Sequence, residues 1–135
     1  MAAYGRFVQE YRKGAVNGAS PLQLVIMLYD GALKYMEAGK YAITHKDLKK
    51  QNESLQKAQK IVMELMSCLD MKQGGEVAKN LCALYTYVLN QLVQANIQDD
   101  IEPIEQSIRV LSDLRESWVQ IEQTQRIPQE ERIAS

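Results

Sequence analysis

The sequence predicts an all-α protein, an antiparallel up-down-up-down four-helix bundle with a short N-terminal helical or extended segment. Three observations carry this. From Ser20 onward the apolar residues recur every three or four positions, no stretch of β-branched alternation reads as a strand, and helix-boundary residues divide the chain into helices of about twenty residues joined by short connections. A chain of 135 residues is enough for one core and too short for two. The expected division is an N-terminal capping segment over 1–19, the bundle over 20–123 and a loose C-terminal tail over 124–135.

Before Ser20, the residues Tyr4, Phe7, Val8 and Tyr11 fall on one face of a short segment, and Gly14 and Gly18 then loosen the chain. An isolated helix this short is marginal in water, so its order depends on what it covers. One expectation is that it competes with a partner for apolar surface on the bundle. The first bundle helix opens at Ser20-Pro21-Leu22-Gln23: Ser20 can cap, Pro21 occupies the tolerant first position, and Gln23 can complete a capping box. Leu22, Val25, Ile26, Tyr29, Leu33, Met36 and Ile43 make one stripe, and Leu24, Met27, Leu28 and Tyr35 make a second. The first half of this helix is therefore apolar nearly all round.

A second helix starts near Asp47 and places Leu55, Ala58, Val62, Leu65 and Leu69 inward, with Lys49, Lys50, Lys57 and Lys60 in water. It is expected to stop near Gly74-Gly75, because glycine accepts the left-handed conformation that closes a helix. The third helix is expected from about Glu76 to Asn96. Its core stripe reads Val77, Leu81, Leu84, Val88, Leu92 and Ala95, beside a second stripe of Ala78, Cys82, Tyr85, Leu89 and Val93. Asp99 or Asp100 caps the fourth helix and puts Pro103 in its first turn, where a missing amide hydrogen costs little. Ile104, Ile108, Leu111, Leu114, Trp118 and Ile121 then face the core, after which the pattern fades.

Composition excludes several classes of function. A formal charge of −1, from 16 basic and 17 acidic residues, supplies no field for nucleic acid or an anionic membrane. The longest apolar run, Leu24 to Tyr29, is too short to span a bilayer, and no signal segment is read at the N-terminus, which predicts a cytoplasmic protein without membrane insertion. Cys68 and Cys82 lack the neighbours of a zinc or redox motif and are expected to be reduced and buried. The single histidine, His45, lies in the turn after the first helix, so neither a di-metal bundle nor a hydrolytic triad can be assembled. Asp99, Asp100 and Glu102 are read as complements to a helix dipole. No cofactor and no metal are expected. An all-helical enzyme of chorismate-mutase type would need cations inside the bundle; the candidates, Lys34, Lys79 and Arg115, sit better at stripe boundaries, where their stems snorkel.

The run Tyr11 to Leu33, with Val16, Ala19-Ser20-Pro21 and Met27-Leu28-Tyr29-Asp30-Gly31, closely resembles the flagellin-specific export chaperones of bacteria, the FliS family. Leu69-Asp70, Gly74 to Ala78, Asn80-Leu81, Leu84-Tyr85 and Ala95-Asn96 resemble the family's second block, and Leu114 to Trp118 its ending. Gly14, Asn17 and Gly18 depart from the family pattern. The resemblance implies a chaperone that binds the disordered C-terminal region of flagellin, prevents premature polymerisation and accompanies it to the flagellar type III export gate. Position by position it points to Tyr11, Val16, Leu24, Leu28, Tyr29, Leu81, Tyr85 and Asn96 as client-binding residues, some by contact and some as support. The residues themselves agree, since apolar faces wider than one core consumes mark an interaction surface. The same surplus also fits a helical scaffold that self-associates, or a weak homodimer when client-free.

Overall fold

The computed structural model describes residues 20–134, with side chains to residue 125. Tyr11, Val16 and the rest of the 1–19 segment lie outside the described residues. Among the described residues the chain forms four helices, α1 (Pro21–Thr44), α2 (Leu48–Ser67), α3 (Gly75–Gln98) and α4 (Glu102–Ala134), and no strand. Each helix packs on its neighbours in sequence, and α4 returns to α1, which closes the up-down-up-down bundle. The contact between α1 and α2 is the most extensive.

Local chemistry explains where these helices begin. Ser20 Oγ accepts from Gln23 N at 3.1 Å while Gln23 Oε1 accepts from Ser20 N at 2.9 Å, so the expected capping box forms. Asp47 Oδ1 accepts from Lys50 N at 3.1 Å and starts α2. Asp100 Oδ1 accepts from Glu102 N at 3.0 Å, and Glu102 and Glu105 complement the dipole in the first turn of α4.

The structure corrects four expectations. First, α2 ends at Ser67 rather than near the glycine pair, because Asp70 Oδ1 accepts from Lys72 N and Gln73 N and offers the backbone a turn in place of a helix. Gly74 and Gly75 open α3 instead of closing α2; Gly75 has φ +54°, a left-handed conformation that glycine adopts without a Cβ clash. The far end of α3 likewise runs past Asn96 to Gln98, with Asp99 left-handed after it. Second, the buried stripe of α3 is Ala78, Leu81, Tyr85, Val88, Leu92 and Ala95, whereas Val77 is 66% and Leu84 37% exposed. Rotating the helix to this phase brings the large Tyr85 ring inside. Third, Cys68 is exposed at the end of α2 and Cys82 is half-buried on a flank of α3. Neither is in a disulfide. Fourth, the stretch expected to be a loose tail continues α4 as helix to Ala134. Its Gln, Glu and Arg residues are good helix formers even where the apolar stripe fades.

The core centres on Leu28, Tyr29, Ala32 and Met36 of α1, Leu55, Ala58, Ile61, Val62 and Leu65 of α2, the α3 stripe, and Ile104 and Leu111 of α4. Gly39, which sequence periodicity does not single out, sets the spacing of α1 and α2. A Cβ there would lie 2.6 Å from Leu55 Cδ2, and Leu55 is fully buried. Gly39→Ala gains about 1 kcal/mol of helix propensity but incurs about 1 to 3 kcal/mol of overpacking. The expected outcome is a lower melting temperature by circular dichroism, restored in part by Leu55→Val; a Gly39→Ala protein that melts higher than wild type would show that the helices separate without cost.

Candidate polypeptide-binding surface

The helical periodicity of α1 and α3 turns two tyrosines toward each other across the diagonal of the bundle. Tyr29 and Tyr85 are fully buried, their ring centroids are 6.3 Å apart at 56°, and their hydroxyls share a hydrogen bond. Trp118 Nε1 of α4 donates to the Tyr29 hydroxyl at 3.0 Å. Three helices are thereby joined by one polar chain inside an apolar core. Burial raises the pKa of Tyr29 above its ordinary 10.0, although the hydrogen bonds from Tyr85 and Trp118 oppose the shift. Tyr85 is raised further, first by burial and then by the proximity of Tyr29.

Of the residues that the sequence pointed to as client-binding, Leu28, Tyr29, Leu81 and Tyr85 come together as core. Leu24 is half-buried on α1. Asn96, also half-buried, stands apart from them near the start of α2: its side-chain oxygen accepts from Gln51 Nε2 at 3.1 Å, and its Nδ2 donates to Asn52 Oδ1 at 3.0 Å. The buried four shape the surface from beneath.

Among the described residues, exposed large apolar side chains are most numerous on α3, at positions that the sequence did not single out as client-binding. Val77, Leu84 and Tyr87 follow one another at helical spacing on one flank and are 66%, 37% and 42% exposed. Tyr87 donates to Gln106 Oε1 at 3.4 Å, and Gln91 Nε2 donates to the same oxygen, so this flank borders α4. On the other flank lie Cys82, Leu89, Val93 and Ile97, with Val93 and Ile97 exposed. Asn96, adjoining them, bonds to α2, so this flank borders α2. One helix thus presents apolar side chains to solvent on both sides of its buried stripe. The signal available in the sequence was the doubled stripe; the phase that decides which members are exposed was not.

None of the enzyme candidates enters the bundle. Lys34 and Lys79 are exposed, and Arg115 pairs with Asp30 at the surface, where that contact raises its pKa. His45 is exposed, stacks on the Tyr41 ring at 3.9 Å and has its Nδ1 2.9 Å from the Tyr41 carbonyl oxygen, which caps α1. Among the described residues no cluster of His, Cys, Asp and Glu has the arrangement of a metal site, and no helix is long and apolar enough to cross a membrane.

The family model described as flagellar protein FliS matches residues 4–125. The chain belongs to the FliS family. It is 36% identical over 118 residues to the flagellar secretion chaperone FliS of Vibrio cholerae, covering 84% of this chain and 87% of that protein. The corresponding chaperone of Salmonella typhimurium is 38% identical over 116 residues, with 85% and 86% covered. That of Bacillus subtilis is 36% identical over 116 residues, with 86% of each covered. These relatives are named as chaperones, not as enzymes.

Two outcomes test the buried tyrosine chain. Tyr29→Phe strands both the Trp118 donor and the Tyr85 hydroxyl, whereas Tyr85→Phe leaves Tyr29 with Trp118; at about 1 kcal/mol per lost hydrogen bond, Tyr29→Phe is expected to be the more destabilising by about that amount in urea titrations. Equal losses would mean that Trp118 contributes nothing to the chain. The second outcome concerns pH. Because both folded-state values are raised, the tyrosines contribute fully below about pH 10, and stability falls as pH climbs above that value, where the unfolded state releases its protons first. Tyrosinate absorbance from these two residues should appear only together with loss of helical ellipticity.

Proposed function

We propose that this chain is a cytoplasmic export chaperone that binds the disordered C-terminal region of flagellin, prevents its premature polymerisation and assists its delivery to the flagellar type III export apparatus. The observation that supports it best is the exposure of apolar side chains on both flanks of α3. A disordered client loses about 2 to 5 kcal/mol or more on ordering, and each large apolar side chain fully buried returns about 1.5 to 3 kcal/mol. Several anchoring positions spread along a helix are therefore needed, and α3 carries Val77, Leu84, Tyr87, Val93 and Ile97 over its length. The names of the relatives, flagellar secretion chaperones, point the same way.

The buried candidates Leu28, Tyr29, Leu81 and Tyr85 act in this reading as support, holding α3 in the phase that exposes its flanks. Substituting a carboxylate for Leu28 or Leu81 would unfold the core and say nothing of binding. Leu84→Asp and Val93→Asp are the diagnostic changes, because both side chains already meet solvent. Each is expected to weaken binding of a flagellin C-terminal peptide by tenfold or more, about 1.4 kcal/mol, with the circular dichroism spectrum unchanged. Size-exclusion chromatography with and without that peptide separates the reading from its rival: a self-associating scaffold gives no new complex. Wild-type affinity in both variants would remove the α3 flanks from the site.

A further inference from the structure

At one end of the bundle the α1–α2 and α3–α4 turns enclose a cleft of about 360 Å³ lined by Ile43, Lys46, Leu48, Gln51 and Asp99. Both turns are closed by a backbone bond that reaches back five residues. After α1, Lys46 N donates to Ile43 O and Asp47 N to Ala42 O; after α3, Asp99 N and Asp100 N both donate to Ala95 O. Each closure places one residue in the left-handed region, Lys46 at φ 57° and Asp99 at φ 52°, and these are the two non-glycine residues with positive φ among the described residues. Glycine takes that conformation with the least strain, and strain kept at a non-glycine residue points to a use for its side chain. Both side chains line the same cleft.

The chemistry of the lining narrows the occupant. The Lys46 ammonium makes no hydrogen bond or ion pair with another described residue, while Gln51, itself 2% exposed, donates from Nε2 to Asp99 Oδ1 at 2.8 Å and holds that carboxylate in place. Leu48 is 65% exposed in the wall, and Ile97, two residues before Asp99, is 71% exposed. A cation and a carboxylate together suit neither ion class: a phosphate is repelled by Asp99 and a metal ion by Lys46. A main-chain amide has the complementary pair, a carbonyl for Lys46 and an N–H for Asp99. The volume lies near the lower end of the range for ligand clefts, roughly 300 to 1,000 Å³, and suits a short piece of peptide.

We propose that this end cleft anchors an extended stretch of polypeptide by one large apolar side chain packed against Ile43 and Leu48, with Lys46 donating to a main-chain carbonyl and Asp99 accepting from a main-chain N–H. It rests on the flagellin reading above and takes a non-helical stretch of that same client. The cleft holds the client where the apolar flank of α3 that ends at Ile97 runs out, so the flank and the cleft act on one chain.

The test is a pair of variants, Lys46→Gly and Leu48→Ser, in the full chain, read by fluorescence anisotropy of a labelled flagellin C-terminal peptide and by thermal melting. Lys46→Gly relieves the left-handed strain, so its melting temperature is expected to rise while peptide binding weakens roughly fivefold, the loss of one hydrogen bond. Leu48→Ser should melt close to wild type and bind roughly tenfold more weakly, the loss of one apolar anchor. Stability and affinity moving in opposite directions in Lys46→Gly is a result that a purely structural lysine does not produce. Wild-type affinity in both variants, alongside weakened binding by Val93→Asp, overturns the cleft and leaves the flagellin reading intact. A wild-type chain that fails to bind the peptide overturns both.

Discussion

Two phenol hydroxyls lie in the apolar core, the indole N–H of the half-buried Trp118 reaches one of them, and their need for partners there constrains the whole bundle. Burying an unpaired hydroxyl costs on the order of 1 to 3 kcal/mol, so α1, α3 and α4 are stable only in the relative rotation and height that lets Trp118 reach Tyr29 and Tyr29 reach Tyr85. Aliphatic packing tolerates small slips. This chain of hydrogen bonds does not, and it selects one phase of α3 among those that hydrophobicity alone would permit.

From that phase the surface follows. With Tyr85 and Ala78 inward, Val77, Leu84 and Tyr87 turn toward the α4 border, and Val93 and Ile97 toward the α2 border. The α1–α2 side of the molecule is built differently: Gly39 lets the two backbones come close over Leu55, and the contact there absorbs much of the apolar width of α1. The apolar surplus therefore collects on α3. A chaperone for a disordered partner needs such a surplus on a framework that is itself rigid, because the ordering cost falls on the client and should not be added to by the host.

Much of the fold was readable from residue types with local mechanisms. Ser20, Pro21 and Gln23, Asp47, and Asp100 with Pro103 mark helix starts because each acts on backbone groups within a few residues of itself. The site was readable only in part. Leu28, Tyr29, Leu81 and Tyr85 were expected among eight client-binding residues, but the structure makes these four core; Val77 and Leu84, which stand in the same motif blocks, are the ones exposed. The end cleft was not legible at all, since Lys46 and Asp99 are 53 positions apart and meet only when the two turns are brought to one end.

By itself the sequence determined an all-α chain, the residues that open α1, α2 and α4, the antiparallel order and the resemblance to the FliS family, all of which depend on spacing over a few turns or on residues in blocks. Tertiary structure alone decided which members of two neighbouring apolar stripes on α3 are buried, Leu81, Val88, Leu92 and Ala95 from the one and Ala78 and Tyr85 from the other, because periodicity cannot rank stripes that differ by one position. The structure also shows the glycine pair opening α3 rather than closing α2, since the Asp70 side chain captures the backbone first; that contact is local, but glycine's usual place at a helix end pointed the other way. The thiols stand outside the core for the same kind of reason: Cys68 falls where α2 has ended and Cys82 one position off the stripe that Tyr85 selects. In each case the deciding partner lies on another helix or in a turn, beyond the range of a pattern read along one element.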